Sequence, residues 1–175
     1  MSAAPHLDRF GTTILADPPW DVPSQRGSYG AERHYPLMSI EAICRLRVDR
    51  LAADNAHLWL WVTNAAWREQ LAVMEAWGFS YRSCLTWIKP RLGLGTYLRN
   101  QTEHLLLGVR GRAPIRFRGQ GSWLYAPLQA HSHKPEEQYA VIERCSPGPY
   151  LELFARAKRP GWSVWGDDVT CDVAL

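Results

Sequence analysis

The chain has 175 residues, 46% hydrophobic and 21% charged, which is enough to bury one substantial core, so a single domain spanning residues 1–175 is expected. Cys44, Cys84, Cys145 and Cys171 stand far apart with no C-x-x-C pair, which argues against a disulfide framework or a zinc site and suits reduced thiols. Residues 1–10 show no charged-then-apolar leader and no apolar run nears the ~18 residues of a membrane span, so a cytoplasmic protein is expected. The net charge is +3, but residues 89–118 carry Lys89, Arg91, Arg99, Arg110, Arg112, Arg116 and Arg118 against Glu103 alone, which makes that stretch +6 and the remainder −3. Such a stretch suits phosphate contact, and Tyr97, Phe117 and Trp123 lie within or beside it where bases could stack. A solvated loop would have the same composition.

In chain order, residues 11–16 form a short apolar, β-branched run that stops at Asp17-Pro18-Pro19, the pattern of a buried strand followed by a stiff turn. Residues 21–38 are rich in Pro, Gly, Ser and charge and read as a long loop at that strand end. Ser39 is placed to cap a helix carrying Ile40, Ile43 and Cys44, and residues 57–62 read as a buried strand. A helix from Asn64 puts Trp67, Leu71, Met74 and Trp77 on one face, with Gly78 as its stop; this stripe is core. Strands are predicted at 80–88, 104–109, 150–154 and 163–165. A helix is predicted from Pro135, at its first position, to about Cys145. The alternation predicts an α/β sheet, mostly parallel with one or two antiparallel strands.

Asp17-Pro18-Pro19-Trp20 is the motif that carries chemistry. The exocyclic amine of adenine is a poor nucleophile because its lone pair is delocalised into the ring. The Asp17 carboxylate and the Pro18 carbonyl could each accept one amine hydrogen and so localise that pair, while the two prolines stiffen the backbone. Trp20 could stack on the purine face. Asp-Pro-Pro also ends strands in ordinary turns, but its place at the carboxyl end of an apolar strand in an α/β chain is where ligand sites form.

Several ordered motifs carry a resemblance. They are Ile14-Leu15-Ala16-Asp17-Pro18-Pro19-Trp20, Tyr35-Pro36-Leu37-Met38-Ser39, Leu58-Trp59-Leu60-Trp61-Val62-Thr63, Thr86-Trp87-Ile88-Lys89, Glu103-His104-Leu105-Leu106-Leu107-Gly108-Val109, Ser132-His133-Lys134-Pro135-Glu136-Glu137, and Glu152-Leu153-Phe154-Ala155-Arg156. Through them the chain resembles, nearly end to end, the messenger-RNA adenosine N6-methyltransferase family in its compact bacterial and phage form. The resemblance implies a Rossmann-like class I methyltransferase sheet with helices on both faces, in the permuted order that places the catalytic motif before the cofactor elements. It also implies S-adenosyl-L-methionine as cofactor and adenine N6 as acceptor.

Carried over residue by residue, the resemblance makes Asp17, Pro18, Pro19 and Trp20 catalytic. Asp17, Ser132, Lys134, Phe154, Arg156, Asp167 and Asp168 are then cofactor-binding, with Lys134 suited to the methionine carboxylate. Trp165-Gly166-Asp167-Asp168 departs from the family, which has Gly-Asn followed by Gln or Glu; Asp167 can accept a hydrogen bond but not donate one as asparagine does. Lys89, Arg91, Arg116 and Arg118 are the candidate nucleic-acid contacts. No metal is expected, because His131 and His133 lack a third ligand at suitable spacing. DNA is favoured over RNA by analogy with the compact members. A free nucleoside substrate, a non-catalytic nucleic-acid-binding subunit, and a homo- or heterodimer are the competing readings.

Overall fold

The computed structural model describes residues 11–21, 36–95, 97–129 and 133–175, with the side chain of Ala66 excepted. Most of the predicted 21–38 loop, together with Tyr35, His131 and Ser132, lies outside the described residues. Among the described residues seven strands form one sheet: β1 (Gly11–Ala16), β2 (Ala52–Val62), β3 (Ser80–Ile88), β4 (Thr102–Arg110), β5 (Trp123–Tyr125), β6 (Tyr150–Leu153) and β7 (Trp162–Trp165), in the order β5-β3-β4-β2-β1-β6-β7. β1 pairs in parallel with β2 and β6, β6 with β7, and β3 with β5; β4 alone runs antiparallel, to both β2 and β3.

The strands alternate as buried sheets must. Ile14, Leu58, Leu60, Leu106 and Leu151 share a core with Ile43 of α1 (Ile40–Arg45), Val73 and Met74 of α3 (Trp67–Ala76) and Trp77 just after it, joined by Val48 and Leu51 of the short α2 (Val48–Leu51). Leu15, Trp59, Trp61, Leu85, Trp87 and Leu105 form the opposite core with Val141, Ile142 and Cys145 of α4 (Glu137–Cys145). Helices therefore cover both faces, and the predicted Trp and Met stripe of α3 is core. The Ser39 hydroxyl caps α1 by accepting from the Ala42 amide, and Gly78 ends α3 at φ +81°. Pro135 stands before the helix rather than in its first position, since Glu136 is the N-cap of α4. β2 begins five residues before the predicted strand because its polar start at Asp54 and Asn55 hides the apolar pattern. Among the described residues no helix is long and apolar enough to cross a membrane.

Candidate active site

The parallel strands β1 and β6 end at Asp17 and Phe154, and the space beyond them holds two adjoining cavities. One, of about 470 Å³, is lined by residues that include Asp17, Phe154, Arg156, Trp165, Asp167 and Asp168. The other, of about 170 Å³, shares Asp17, Phe154 and Arg156 and adds Lys134, Tyr139 and Glu152. Six of the seven predicted cofactor residues thus meet at one place, although they span positions 17 to 168 of the chain; Ser132 lies outside the described residues. A larger groove of about 850 Å³, lined by His57, Val109 and Cys145 among others, lies toward the opposite ends of these strands. It contains none of this chemistry.

The Asp-Pro-Pro-Trp turn is fixed by backbone bonds. The Trp20 amide donates to the Pro18 carbonyl at 2.9 Å, the Met38 amide to the Pro19 carbonyl at 2.8 Å, and the Asp21 amide to the Met38 carbonyl at 2.9 Å. The structure revises the expectation for Trp20. Its side chain is 4% exposed within the first core, and its indole N–H donates to the Trp61 carbonyl at 3.0 Å. A buried, hydrogen-bonded indole anchors the turn and offers no face to a base. On the far side of the cleft, Phe154 adopts φ +62°, a strained setting for a non-glycine residue. This ends β6 one residue short of the predicted strand and sets the ring edge-on to Trp165, with centroids 5.3 Å apart. Gly166 permits that turn, because a Cβ there would meet the Ala155 carbonyl oxygen at 2.2 Å.

Charge is concentrated around Asp17. Lys134 Nζ donates to Asp17 Oδ2 at 2.7 Å and lies 3.5 Å from Glu103 Oε2, while Lys89 is paired with Glu103 Oε1. Burial pushes the Asp17 carboxyl up, and the Lys134 ammonium opposes that rise. Burial acts on Glu103 in the same direction, but Lys134 and Lys89 outweigh it and hold Glu103 below its usual range. Glu152 accepts from the Tyr139 hydroxyl at 3.0 and 3.1 Å, and burial raises it from 4.5 to about 7. Glu103, Glu152 and Tyr139 were not singled out as site residues in the sequence. Glu103 did leave a signal, as the lone acid of the basic stretch.

That stretch is not one surface. Lys89 is committed to the ion pairs beside Asp17. Arg91 and Arg99 sit on the exposed loop after β3, at the same end of the sheet as Asp17, with Tyr97 fully open to solvent. Arg116, whose amide donates to the Cys145 carbonyl, and Arg118 lie beside the far end of α4, roughly 13 Å along the helix from Lys134 and the cleft. Among the described residues no group of three His, Cys, Asp or Glu side chains is placed to hold a metal.

A mostly parallel sheet covered by helices on both faces, with its cleft outside the strands' carboxyl ends, is the architecture of a Rossmann-like methyltransferase. Comparison with known proteins makes the assignment specific: the chain belongs to the MT-A70 family, whose model matches residues 12–168. It is similar to the N(6)-adenosine-methyltransferase MT-A70-like protein of Drosophila melanogaster, 33% identical over 175 residues that cover 93% of this chain and 27% of that protein. It is similar to the human N(6)-adenosine-methyltransferase catalytic subunit METTL3, 33% identical over 177 residues that cover 93% of this chain and 29% of that protein. The Type II methyltransferase M.MunI of a Mycoplasma species is 29% identical over 181 residues, covering 89% of this chain and 76% of its own length. The chain therefore spans under a third of the length of the first two and about three quarters of the third.

Proposed function

We propose that the chain is an S-adenosyl-L-methionine-dependent methyltransferase, formed as one domain, that modifies N6 of adenine in nucleic acid, with DNA as the preferred polymer. The observation that carries the reading is the lysine-paired Asp17 at the floor of a cleft whose other walls suit the cofactor. Lys134 and Arg156 offer cations to a carboxylate, Glu152, Asp167 and Asp168 offer acceptors to hydroxyls and amines, and Phe154 and Trp165 offer apolar faces. The main cavity lies within the usual range of roughly 300–1,000 Å³ for small-molecule sites. The cofactor, when bound, supplies a methyl group already activated on a sulfonium.

Asp17 and the Pro18 carbonyl are the acceptors for the two amine hydrogens. Pro18 O already accepts from the Trp20 amide and retains its second lone pair for this role. The bonds that clamp residues 18–21 to Met38 fix the direction of both acceptors before substrate arrives, which is where an orientational advantage originates. DNA is favoured over RNA by analogy with the Type II methyltransferase M.MunI, to which the chain is also similar. The exposed loop with Arg91, Tyr97 and Arg99 would meet the polymer at the catalytic end.

The test is methyl transfer from labelled S-adenosyl-L-methionine to single-stranded DNA, duplex DNA, RNA and adenosine in parallel, with mass spectrometry of the nucleosides. N6-methyladenine from DNA, absent with Asp17→Ala although that variant still binds cofactor in calorimetry, is the expected result. Product from RNA or adenosine alone would move the substrate, and substantial turnover by Asp17→Ala would overturn the mechanism.

A further inference from the structure

Glu103 is the one acid in the basic stretch, and its position gives it a task that the family motif alone does not state. It opposes Trp87 in the β3–β4 pairing, at the first turn of β4 on the catalytic side of the sheet. Its two oxygens are divided between two ammonium groups: Oε1 takes Lys89, and Oε2 lies 3.5 Å from Lys134. Lys134 in turn donates to Asp17 at 2.7 Å. Lys89, Glu103, Lys134 and Asp17 thus form a row of alternating charge that crosses from the end of β3, past β4 and β2, to the end of β1. Both ammonium groups also lie over indoles, Lys89 at 4.8 Å from the Trp87 ring centre and Lys134 at 5.5 Å from that of Trp61.

The distances state the balance on Lys134. At equal screening, Coulomb attraction scales inversely with separation, so Glu103 pulls on the ammonium with roughly three quarters of the energy that Asp17 does. Lys134 already donates to Asp17 Oδ2, and without that second pull the ammonium would answer to Asp17 alone and turn further donors onto the lone pairs that an incoming amine must use. We propose that Glu103 is a positioning residue: it holds Lys134 from the side opposite Asp17, and so keeps Asp17 open as an acceptor and Lys134 directed into the cleft. The inference rests on Asp17 serving as the amine acceptor. Lys89 has a supporting part, neutralising the outer oxygen of Glu103 so that the row carries no net charge.

The experiment uses Glu103→Gln, which keeps the shape and removes the charge, in the full chain with its melting temperature recorded. Two readouts separate positioning from plain structure. The first is reductive methylation of Lys134 by formaldehyde and cyanoborohydride, followed by peptide mass spectrometry; its rate should rise severalfold in the folded variant. The second is kinetic: kcat should fall by about ten- to a hundredfold, the scale of a misplaced catalytic group, with KM for cofactor changed far less. The acid limb of kcat/KM should also move to lower pH, since of the charges facing Asp17 (Lys134, Arg156, Glu152 and Glu103) only Glu103 is lost, and it acts to raise Asp17. Lys89→Met, which leaves the Glu103 charge to act on Lys134 alone, should move the labelling rate and the acid limb the opposite way at smaller amplitude, and guards against a variant that fails to fold. Unchanged Lys134 labelling in a folded Glu103→Gln overturns the inference whatever happens to activity, and so does faster labelling with unaltered kcat and pH profile. If the wild-type chain methylates no adenine, yet labelling rises in the variant, the adenine reading fails while the hold of Glu103 on Lys134 stands.

Discussion

Replacing Glu152 with glutamine should change how stability depends on pH, not only its level. The carboxyl sits on β6 facing α4. Burial above all lifts it from 4.5 to about 7, against the hydrogen bond from Tyr139 and with help from the Asp17 charge. Between those two values the folded protein keeps a proton that the unfolded chain has released. Stability is therefore full below about 4.5 and declines as pH rises through the folded value, by about 1.4 kcal/mol per pH unit. Integrated over that window the loss is about 3 kcal/mol, or roughly 6–12 °C in Tm for a chain of this size. Glutamine still accepts from Tyr139 but has no proton to lose. Calorimetry of both proteins near pH 5 and near pH 8 isolates the effect, because the other carboxyls are common to both and cancel in the difference. Tyr139, itself pushed above its usual range by burial, does not titrate in this interval. The glutamine variant should gain about 2–3 kcal/mol on the wild type between the two conditions. A difference that stays constant would mean that Glu152 is already ionised in the folded protein, and the account of its burial would be wrong.

Trp20→Phe tests the anchoring role of the indole: losing the buried bond to the Trp61 carbonyl should cost about 2 kcal/mol and roughly 4–8 °C in Tm. A raised KM for nucleic acid at unchanged Tm would instead restore Trp20 as a base platform. Arg91→Ala should lower the slope of log affinity against log salt by about 0.7–0.9, one phosphate contact. The double change Arg116→Ala with Arg118→Ala should leave that slope unaltered on a short single-stranded oligonucleotide. The reverse pattern would place the polymer along the far end of α4.

The fold was legible in the sequence wherever a segment's burial is decided by its own pattern. β3 matches its predicted bounds, and α1 and α3 start and stop at the Ser39 cap and the Gly78 turn. β5 was missed because three residues, Trp123, Leu124 and Tyr125, with only the middle one buried, make no period. α2 was missed because four residues complete barely one turn. At the candidate site, Asp17 and Lys134 were singled out through motifs, and the structure brings them together at 2.7 Å. Trp20 was misread for a physical reason. An indole after Asp-Pro-Pro can face a ligand or the core, and the choice is made by the Trp61 carbonyl, supplied by a strand some forty residues away. Tyr139 follows helical spacing like any core residue, so nothing local marks the hydroxyl that meets Glu152.

The direction of β4 explains the largest difference between the linear and the folded reading. In a sheet of parallel strands the cleft lies outside the carboxyl ends, and a strand inserted the other way presents its first residues there instead. Because β4 runs antiparallel between β2 and β3, its start brings Glu103 and His104 to the end where Asp17 lies, while Arg110, at its other end, reaches the Asp49 carbonyl at 2.7 Å. The connection before β4 is then a hairpin-like loop at the Asp17 end, carrying Arg91 and Arg99, and the connection after it starts from the opposite end, carrying Arg112, Arg116 and Arg118. A run of charge that is continuous along the chain is therefore divided by one strand into a part that can meet a polymer at the cleft and a part that cannot do so without wrapping the sheet. The same reversal delivers a carboxylate to the two lysines beside Asp17. A parallel β4 would have brought Arg110 to that end, adding a third cation to a site that holds its geometry by balancing two.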